Sequence, residues 1–378
     1  MSQAYTPGLK RKEYLLIRKT RMLPIPGELI VNVGDTIAMD TIVARADTPG
    51  EPEILKVCAI LGVDPEEIEK YMIKKEGDSV KADEIVASYR ALFGLIKSDC
   101  ISPIDGTVES LSPITGQAIL RRHPTPININ AYIPGRVVEI IQNEGVIIET
   151  YAAFIQGAFG IGGENHGEIK IASETPYAVL TEEQITPECK GKVLVGGSMV
   201  TAAALKKSID TGVRGILVGG IMDKDLTDFL GYRIGVAITG HENIGLTLVA
   251  MEGFGKVNML EKTFSILKKN EGRMACINGT TQIRAGVIRP EVIIPLARKE
   301  EVSTALGAAE DKRSSGITAG TLVRIIQEPY FGIVGHVRSL PPTLVRLETE
   351  SSVRIVEIEL KDRDRVLVPR ANVEIIEE

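Results

Sequence analysis

Pro24-Ile25-Pro26-Gly27-Glu28-Leu29-Ile30, Pro103-Ile104-Asp105-Gly106-Thr107-Val108 and Ile133-Pro134-Gly135-Arg136-Val137-Val138 share one pattern: a proline shortly before a glycine, then a β-rich run. Paired Gly-Asp steps stand between the first two, at Val33-Gly34-Asp35-Thr36-Ile37 and Glu76-Gly77-Asp78-Ser79-Val80. Glycine tolerates positive φ and aspartate closes the turn, so each step reads as a hairpin. The repetition predicts a small sheet built twice and closed on itself. Between the copies, Pro52 to Leu61 reads as a short helix stopped by Gly62-Val63. Asp64-Pro65-Glu66-Glu67 then supplies an N-cap, a proline at the first helical position and acids in the first turn. Ile68, Tyr71 and Met72 give the i, i+3, i+4 face. A helical hairpin near 53–73 is therefore expected inside a β domain running over 1–180.

The Pro/Gly strand start, the Gly-Asp-x-[Ile/Val] arm and the Ile-Val-Ala runs at Ile42 and Ile85 resemble the barrel-sandwich hybrid of biotinyl and lipoyl carriers. The likeness covers Leu23 to Ala46 and Lys74 to about Val138. The order of parts also resembles this hybrid in membrane-fusion adaptors and in cofactor-poor subunits of redox pumps. The resemblance implies an acceptor lysine on the tight hairpin after the Gly-Asp arm. Those positions read Ala44-Arg45-Ala46-Asp47-Thr48-Pro49-Gly50 and Ala87-Ser88-Tyr89-Arg90-Ala91. Neither holds a lysine, and swinging-arm chemistry needs that amine, so neither covalent biotin nor lipoate is expected. Further on, Gly157-Ala158-Phe159-Gly160-Ile161-Gly162-Gly163 approaches the spacing of a dinucleotide fingerprint. Glu168-Ile169-Lys170-Ile171 follows it as a strand rather than a helix, so a Gly-rich β-loop is the better reading.

From about residue 186 to 298 short apolar runs alternate with helical ones. Among the helical ones are Met199 to Ile209, with Ala202, Leu205 and Ile209 on one face and a stop near Gly212, and a last one marked by Leu260, Phe264 and Leu267 with Lys268 and Lys269 at its end. The alternation predicts an α/β, Rossmann-like domain with a parallel sheet. Ligands of such sheets bind beyond the carboxyl ends of the strands. Gly196-Gly197-Ser198 follows the first strand and either binds an anion through free N–H groups or makes a tight βα turn. Gly219-Gly220 ends the second strand. Asp223, Asp225 and Asp228 come next: Asp225 as an N-cap, or the three together as divalent-metal ligands. The third strand, Ile234 to Thr239, leads into Gly240-His241-Glu242. Glu252 follows the fourth. His241, Glu242 and Glu252 are the candidate catalytic or ligand-binding groups, since histidine titrates near neutrality and a carboxylate can orient it. The chain shows no nucleophile elbow, no Walker A lysine and no His-Glu-x-x-His.

Residues 299–316 read as a charged connector. Beyond it, Gly320-Thr321-Leu322-Val323-Arg324-Ile325-Ile326-Gln327-Glu328-Pro329-Tyr330-Phe331-Gly332-Ile333-Val334-Gly335 resembles the KOW motif of transcription-elongation and ribosomal proteins. That likeness implies an SH3-like barrel over 317–378 and, in many members, contact with RNA, ribosome or polymerase. Eight basic side chains against ten acidic ones in this stretch argue against a basic clamp.

The whole chain of 378 residues carries a formal net charge of −6, with 4% aromatics and no tryptophan, which leaves few groups for stacking bases. Four widely spaced cysteines make no Cys-x-x-Cys pair, so a thiolate zinc site is not expected. Met1 to Arg21 is polar and lacks an apolar signal core. No run approaches the roughly 20 apolar residues of a membrane span. The expected fold class is multidomain α+β: a barrel-sandwich hybrid with a helical insert, an α/β parallel-sheet domain and an SH3-like barrel. The leading functional expectation is a cytoplasmic scaffold or adaptor with protein partners or self-association. Two alternatives stay open: an enzyme or ligand sensor using the crevice around His241 and Glu252, and an RNA- or ribosome-associated factor.

Overall fold

In the computed structural model the described residues are 9–91, 96–234, 239–240, 242, 244–282, 288–298, 317–325, 330, 333–342, 344–346, 352–360 and 365–377. The expected connector 299–316 lies outside them. The chain is mostly β. It opens with β1 (Leu9–Met22), β2 (Glu28–Leu29), β3 (Thr36–Ile37) and β4 (Ile42–Thr48). Then come β5 (Pro52–Leu55), β6 (Ser79–Val80), β7 (Ile85–Ala91), β8 (Ile96–Ile101), β9 (Gly106–Ser112) and β10 (Gln117–Arg122). β11 (Thr125–Asn130), β12 (Gly135–Ile141) and β13 (Gly145–Gln156) follow. Helices α1 (Val57–Leu61) and α2 (Ile68–Tyr71) fall inside the predicted insert, but Pro52–Leu55, read from sequence as the start of the first helix, forms β5. Gly62, at φ 71°, ends α1. Asp64 makes no side-chain cap hydrogen bond, although Pro65 does open the turn before α2.

The repeat seen in the sequence extends to individual hydrogen bonds. Gly34 and Gly77 both take positive φ, 99° and 90°. Asp35 Oδ2 accepts from Asn32 N at 2.8 Å, and Asp78 Oδ2 from Lys75 N at 2.7 Å. Gly34 N–H donates to Val137 O and Gly77 N–H to Val108 O, both at 2.8 Å. Ile37 pairs with Gly135, and Val80 with Gly106. Even the irregularity is shared: the β4–β11 ladder slips beside Val43, and the β7–β8 ladder beside Val86. Gly106 and Gly135 are fixed by crowding, since a Cβ would stand 2.1 Å from Arg121 O and 2.3 Å from Glu149 O.

The two copies are nested rather than consecutive. An outer unit uses β1–β4 and β11–β13. An inner unit, β5–β10 with α1 and α2, is inserted between β4 and β11. Each has its own core: Val43, Ile133, Val137 and Ile148 outside, and Val86, Ile104, Val108 and Leu120 inside. α1 and α2 stand where the outer unit has only the short link from Leu23 to Gly27.

The middle of the chain holds β14 (Phe159–Ile161), β15 (Glu164–Ile171), β16 (Val179–Leu180), β17 (Lys192–Val195), β18 (Met199–Val200), β19 (Gly215–Ile221), β20 (Thr247–Phe254), β21 (Met274–Asn278) and β22 (Glu291–Pro295). β15, β17, β19 and β20 run parallel, as expected. The sheet is nevertheless mixed, because β21, β22 and β14 pair antiparallel. It also closes. β13 pairs with β22, and its continuation β14 pairs with β20. At the crossing, Gly157 N–H donates to Pro290 O and Ala158 N–H to Ala250 O. Successive N–H groups point to opposite sides of a strand, so this strand lies between β22 and β20. The expected parallel sheet is thereby corrected to a mixed one whose strands close into a ring. Apolar residues from β13, β15, β17, β19, β20, β21 and β22 meet inside it, among them Ile155, Val193, Leu217, Val249, Ile277 and Val292.

Helix α3 (Ala202–Thr211) and α4 (Asp223–Leu230) cover one outer face, while α5 (Glu261–Lys269) adds Phe264, Ile266 and Leu267 to the inner core. α3 is capped by Thr201, whose Oγ1 accepts from Ala204 N at 3.1 Å, and ends at Gly212. The residues Met199 and Val200, read from sequence as helix, form β18. The buried face of α3 is consequently Ala204, Leu205 and Ser208, and the expected Ile209 is 40% exposed. Ser208 is tolerated inside because its hydroxyl donates to Ala204 O at 2.7 Å.

β23 (Leu322–Ile325), β24 (Val334–Ser339), β25 (Leu344–Arg346), β26 (Ser352–Leu360), β27 (Arg365–Pro369) and β28 (Val373–Glu377) form an antiparallel sheet with a core of its own. β1 joins the parts. It runs antiparallel to β13 for most of its length and pairs with β28 at Leu9 and Lys10.

Candidate functional site

The residues singled out from sequence go to different places. Glu242 Oε2 accepts from Gly240 N at 2.7 Å and Gly162 N at 3.0 Å, so its carboxylate ties its own loop to the Gly-rich turn. His241 lies outside the described residues, as do 235–238 of the expected third strand. Glu242 precedes β20, whereas Glu252 sits near its far end. The strand between Thr247 and Glu252 spans about 17 Å at the usual rise, so the structure does not bring the two carboxylates together.

Gly196, Gly197 and Ser198 make a tight turn into β18, not a helix start. Gly196 N–H donates to Leu217 O and Ser198 N–H to Ala178 O, both at 2.8 Å. A Cβ on Gly197 would stand 2.2 Å from Ala178 O. Gly219 and Gly220 belong to β19, where added side chains would meet Val257 O and Gly255 O. Asp223 and Asp225 are in the first turn of α4. Asp225 Oδ1 accepts from Ala202 N at 3.1 Å, so it caps α3 rather than its own helix. Asp228 lies further along α4. Among the described residues no group of three or more His, Cys, Asp and Glu is placed to hold a metal ion.

Glu252 has a different setting from the one expected. It is buried at the junction of all three parts of the chain. Its Oε2 accepts from Arg11 Nη2 of β1 at 2.9 Å and from Arg324 Nη1 of β23 at 2.6 Å. Its Oε1 accepts from Leu260 N at 3.2 Å. Arg324 Nη2 also donates to Glu374 of β28, which accepts from Arg289 Nη2 at 2.7 Å. Burial, more than any neighbour, pulls the Arg11 pKa below its ordinary value. With both oxygens engaged, the Glu252 carboxylate serves as a buried tie between modules.

A second polar group, not anticipated from sequence, lies between the outer unit and the ring. His166 of β15 is directly opposite Cys276 of β21. His166 Nε2 is 3.4 Å from Asp40 Oδ1. The order Cys-His-Asp is that of a nucleophilic triad. The thiol is unsuited to that work: burial first, then Asp40, Glu164 and Glu291, push Cys276 up to about 12. A nucleophilic cysteine needs the opposite environment. Tyr132 stands in the same core at φ 68°, its phenol pushed well above its ordinary value by burial and by Glu291.

The inner unit has a self-contained core. Its core draws only on residues between Leu55 and Leu120. At its base Arg122 N donates to Glu51 O at 3.1 Å and Arg121 Nη1 to Gly50 O at 2.8 Å. On its surface Ile73, Ile85 and Ile101 are exposed. Ile85 is directly opposite Ile101, and Ile73 N–H donates to Val86 O, so the three are neighbours.

No family model and no curated protein matches the chain. Among the described residues no helix is long and apolar enough to cross a membrane.

Proposed function

We propose that this protein is a scaffold or adaptor of a larger assembly, working in the cytoplasm. The observation that carries the reading is the nesting of one small β unit inside another, on two adjacent strand crossings. In this reading both units are barrel-sandwich hybrids without an acceptor lysine, and the C-terminal sheet is an SH3-like barrel of KOW type. The nesting supports display: the hairpin position that would carry a cofactor in the outer unit carries a folded unit with an exposed isoleucine cluster. The buried tie at Glu252 supports a fixed geometry among the parts, as a scaffold requires. The occupied carboxylate oxygens of Glu252, and its separation from Glu242, favour this reading over a crevice enzyme.

Affinity capture of the full chain at native concentration, followed by mass spectrometry, tests it. Stoichiometric protein partners are expected, together with their loss in the Ile73→Asp/Ile101→Asp double variant. A wild-type chain that captures no partner would sink the proposal.

A further inference from the structure

The junction around Glu252 has more positive charge than it has partners for. Arg11, Arg289 and Arg324 meet two carboxylates, Glu252 and Glu374. Arg11 and Arg324 have side chains 1% and 2% exposed. All four carboxylate oxygens are taken, as described above. Three guanidinium nitrogens remain buried without any hydrogen-bond partner: Arg11 Nε, Arg11 Nη1 and Arg324 Nε. The Thr263 hydroxyl, in the first turn of α5, is also buried and unpartnered. That helix begins one residue after Leu260, whose N–H is already bound to Glu252. The charges that act on Arg11 are Glu252, Arg324 and Glu374, and among the described residues no further carboxylate pairs with Arg11, Arg289 or Arg324.

Guanidinium groups stay protonated, and a buried charge without a counter-charge or hydrogen bonds is unfavourable. Two carboxylates against three arginines, of which Arg289 has a side chain 20% exposed, leave one positive charge. We propose that the junction binds one small monovalent anion of halide size, held by the unpartnered donors of Arg11 and Arg324. A single negative charge closes the balance. A divalent oxyanion would overshoot it. The ion would sit where β1, the ring and the C-terminal sheet meet, so its binding is linked to the stability of the whole junction.

The test uses the full chain and chloride as the probe. Thermal unfolding is followed while chloride replaces gluconate at constant ionic strength. Linkage predicts a rise in Tm that grows with the logarithm of chloride concentration above Kd, on the order of 5 °C at a hundredfold excess. The Arg11→Met variant removes both the surplus charge and the donors, so its Tm should no longer distinguish the two anions. If that variant does not fold, bromide-soaked wild-type crystals replace it: an anomalous peak within hydrogen-bond reach of the Arg11 guanidinium supports the site. Equal Tm in chloride and gluconate, or bromide found only elsewhere, overturns the proposal and leaves water as the occupant.

Discussion

At the scale of single residues, the same side-chain type does opposite jobs in different surroundings. Asp35 and Asp78 close exposed turns with a side-chain oxygen that accepts from the backbone N–H three residues earlier, and that role is readable from Gly-Asp alone. Glu252 was equally visible as an acid near a strand end, but its partners come from residues distant in sequence, Arg11 and Arg324. No local pattern announces such a pairing. Glu252→Ala should therefore act on stability. It strands two buried guanidiniums, which costs about 3–5 kcal/mol, and the check is a urea titration. A catalytic Glu252 would instead lose activity while unfolding as wild type does. The cysteines make a second expectation at this scale. All four are buried, and burial is the leading cause that lifts Cys100 to about 11 and Cys276 to about 12. A thiol whose folded pKa is raised stays protonated longer in the native state than in the unfolded chain. Its contribution to stability is present below the unfolded pKa and is lost as pH rises towards 11–12. A thiol-reactive disulfide reagent at pH 8 should accordingly label the native protein slowly and all four sites at once in denaturant. Fast labelling of Cys276 in the folded protein would contradict this environment.

At the scale of elements, β1 has the widest reach. It pairs with β13, touches β28 and delivers Arg11 to the junction. Its basic sequence gives little sign of a long central strand, because lysine and arginine are poor markers of burial. Deleting residues 1–12 removes both the β28 pairing and Arg11. The expected outcome is a looser C-terminal sheet: the amides of β23 and β28 should exchange with deuterium faster in the variant than in wild type, while those of the inner unit keep their rates. Hydrogen exchange read by mass spectrometry gives the difference, and equal rates would show that β1 is not the tie. Elsewhere local pattern was a good guide to element type and a weaker one to phase. α3 and α5 were legible from their apolar spacing and end signals, yet Met199 and Val200 were claimed by β18 and the buried face of α3 moved to Ala204, Leu205 and Ser208. Strand pairing, a long-range event, overrode helix propensity there.

At the scale of the molecule, the repeat was legible and its nesting was not. Pro/Gly and Gly-Asp phrases mark where strands start and turn, but not which strand lies beside which. That the chain leaves the outer unit at Gly50 and returns at Arg122 follows only from the ladders β4–β11 and β5–β10. Closure of the ring was hidden for the same reason, since Gly157-Ala158 looks like any small-residue link until its two N–H groups are seen to face opposite neighbours. Nesting has a consequence for folding. The inner unit has a core separate from that of the outer one, and the outer unit's pairing between Thr48 and Thr125 does not pass through it. The fragment 51–122 should therefore fold alone, with a stability of about 3–5 kcal/mol, typical of so small a core. The complementary chain, with 52–121 replaced by a short Gly-Asn turn, should keep the remaining fold, since Asp47–Pro126 and Thr48–Thr125 already bring the ends together. Calorimetry of the intact protein should then show two transitions, the lower one matching the isolated fragment. An unfolded fragment, together with one cooperative transition for the whole chain, would mean that the inner unit depends on the outer one.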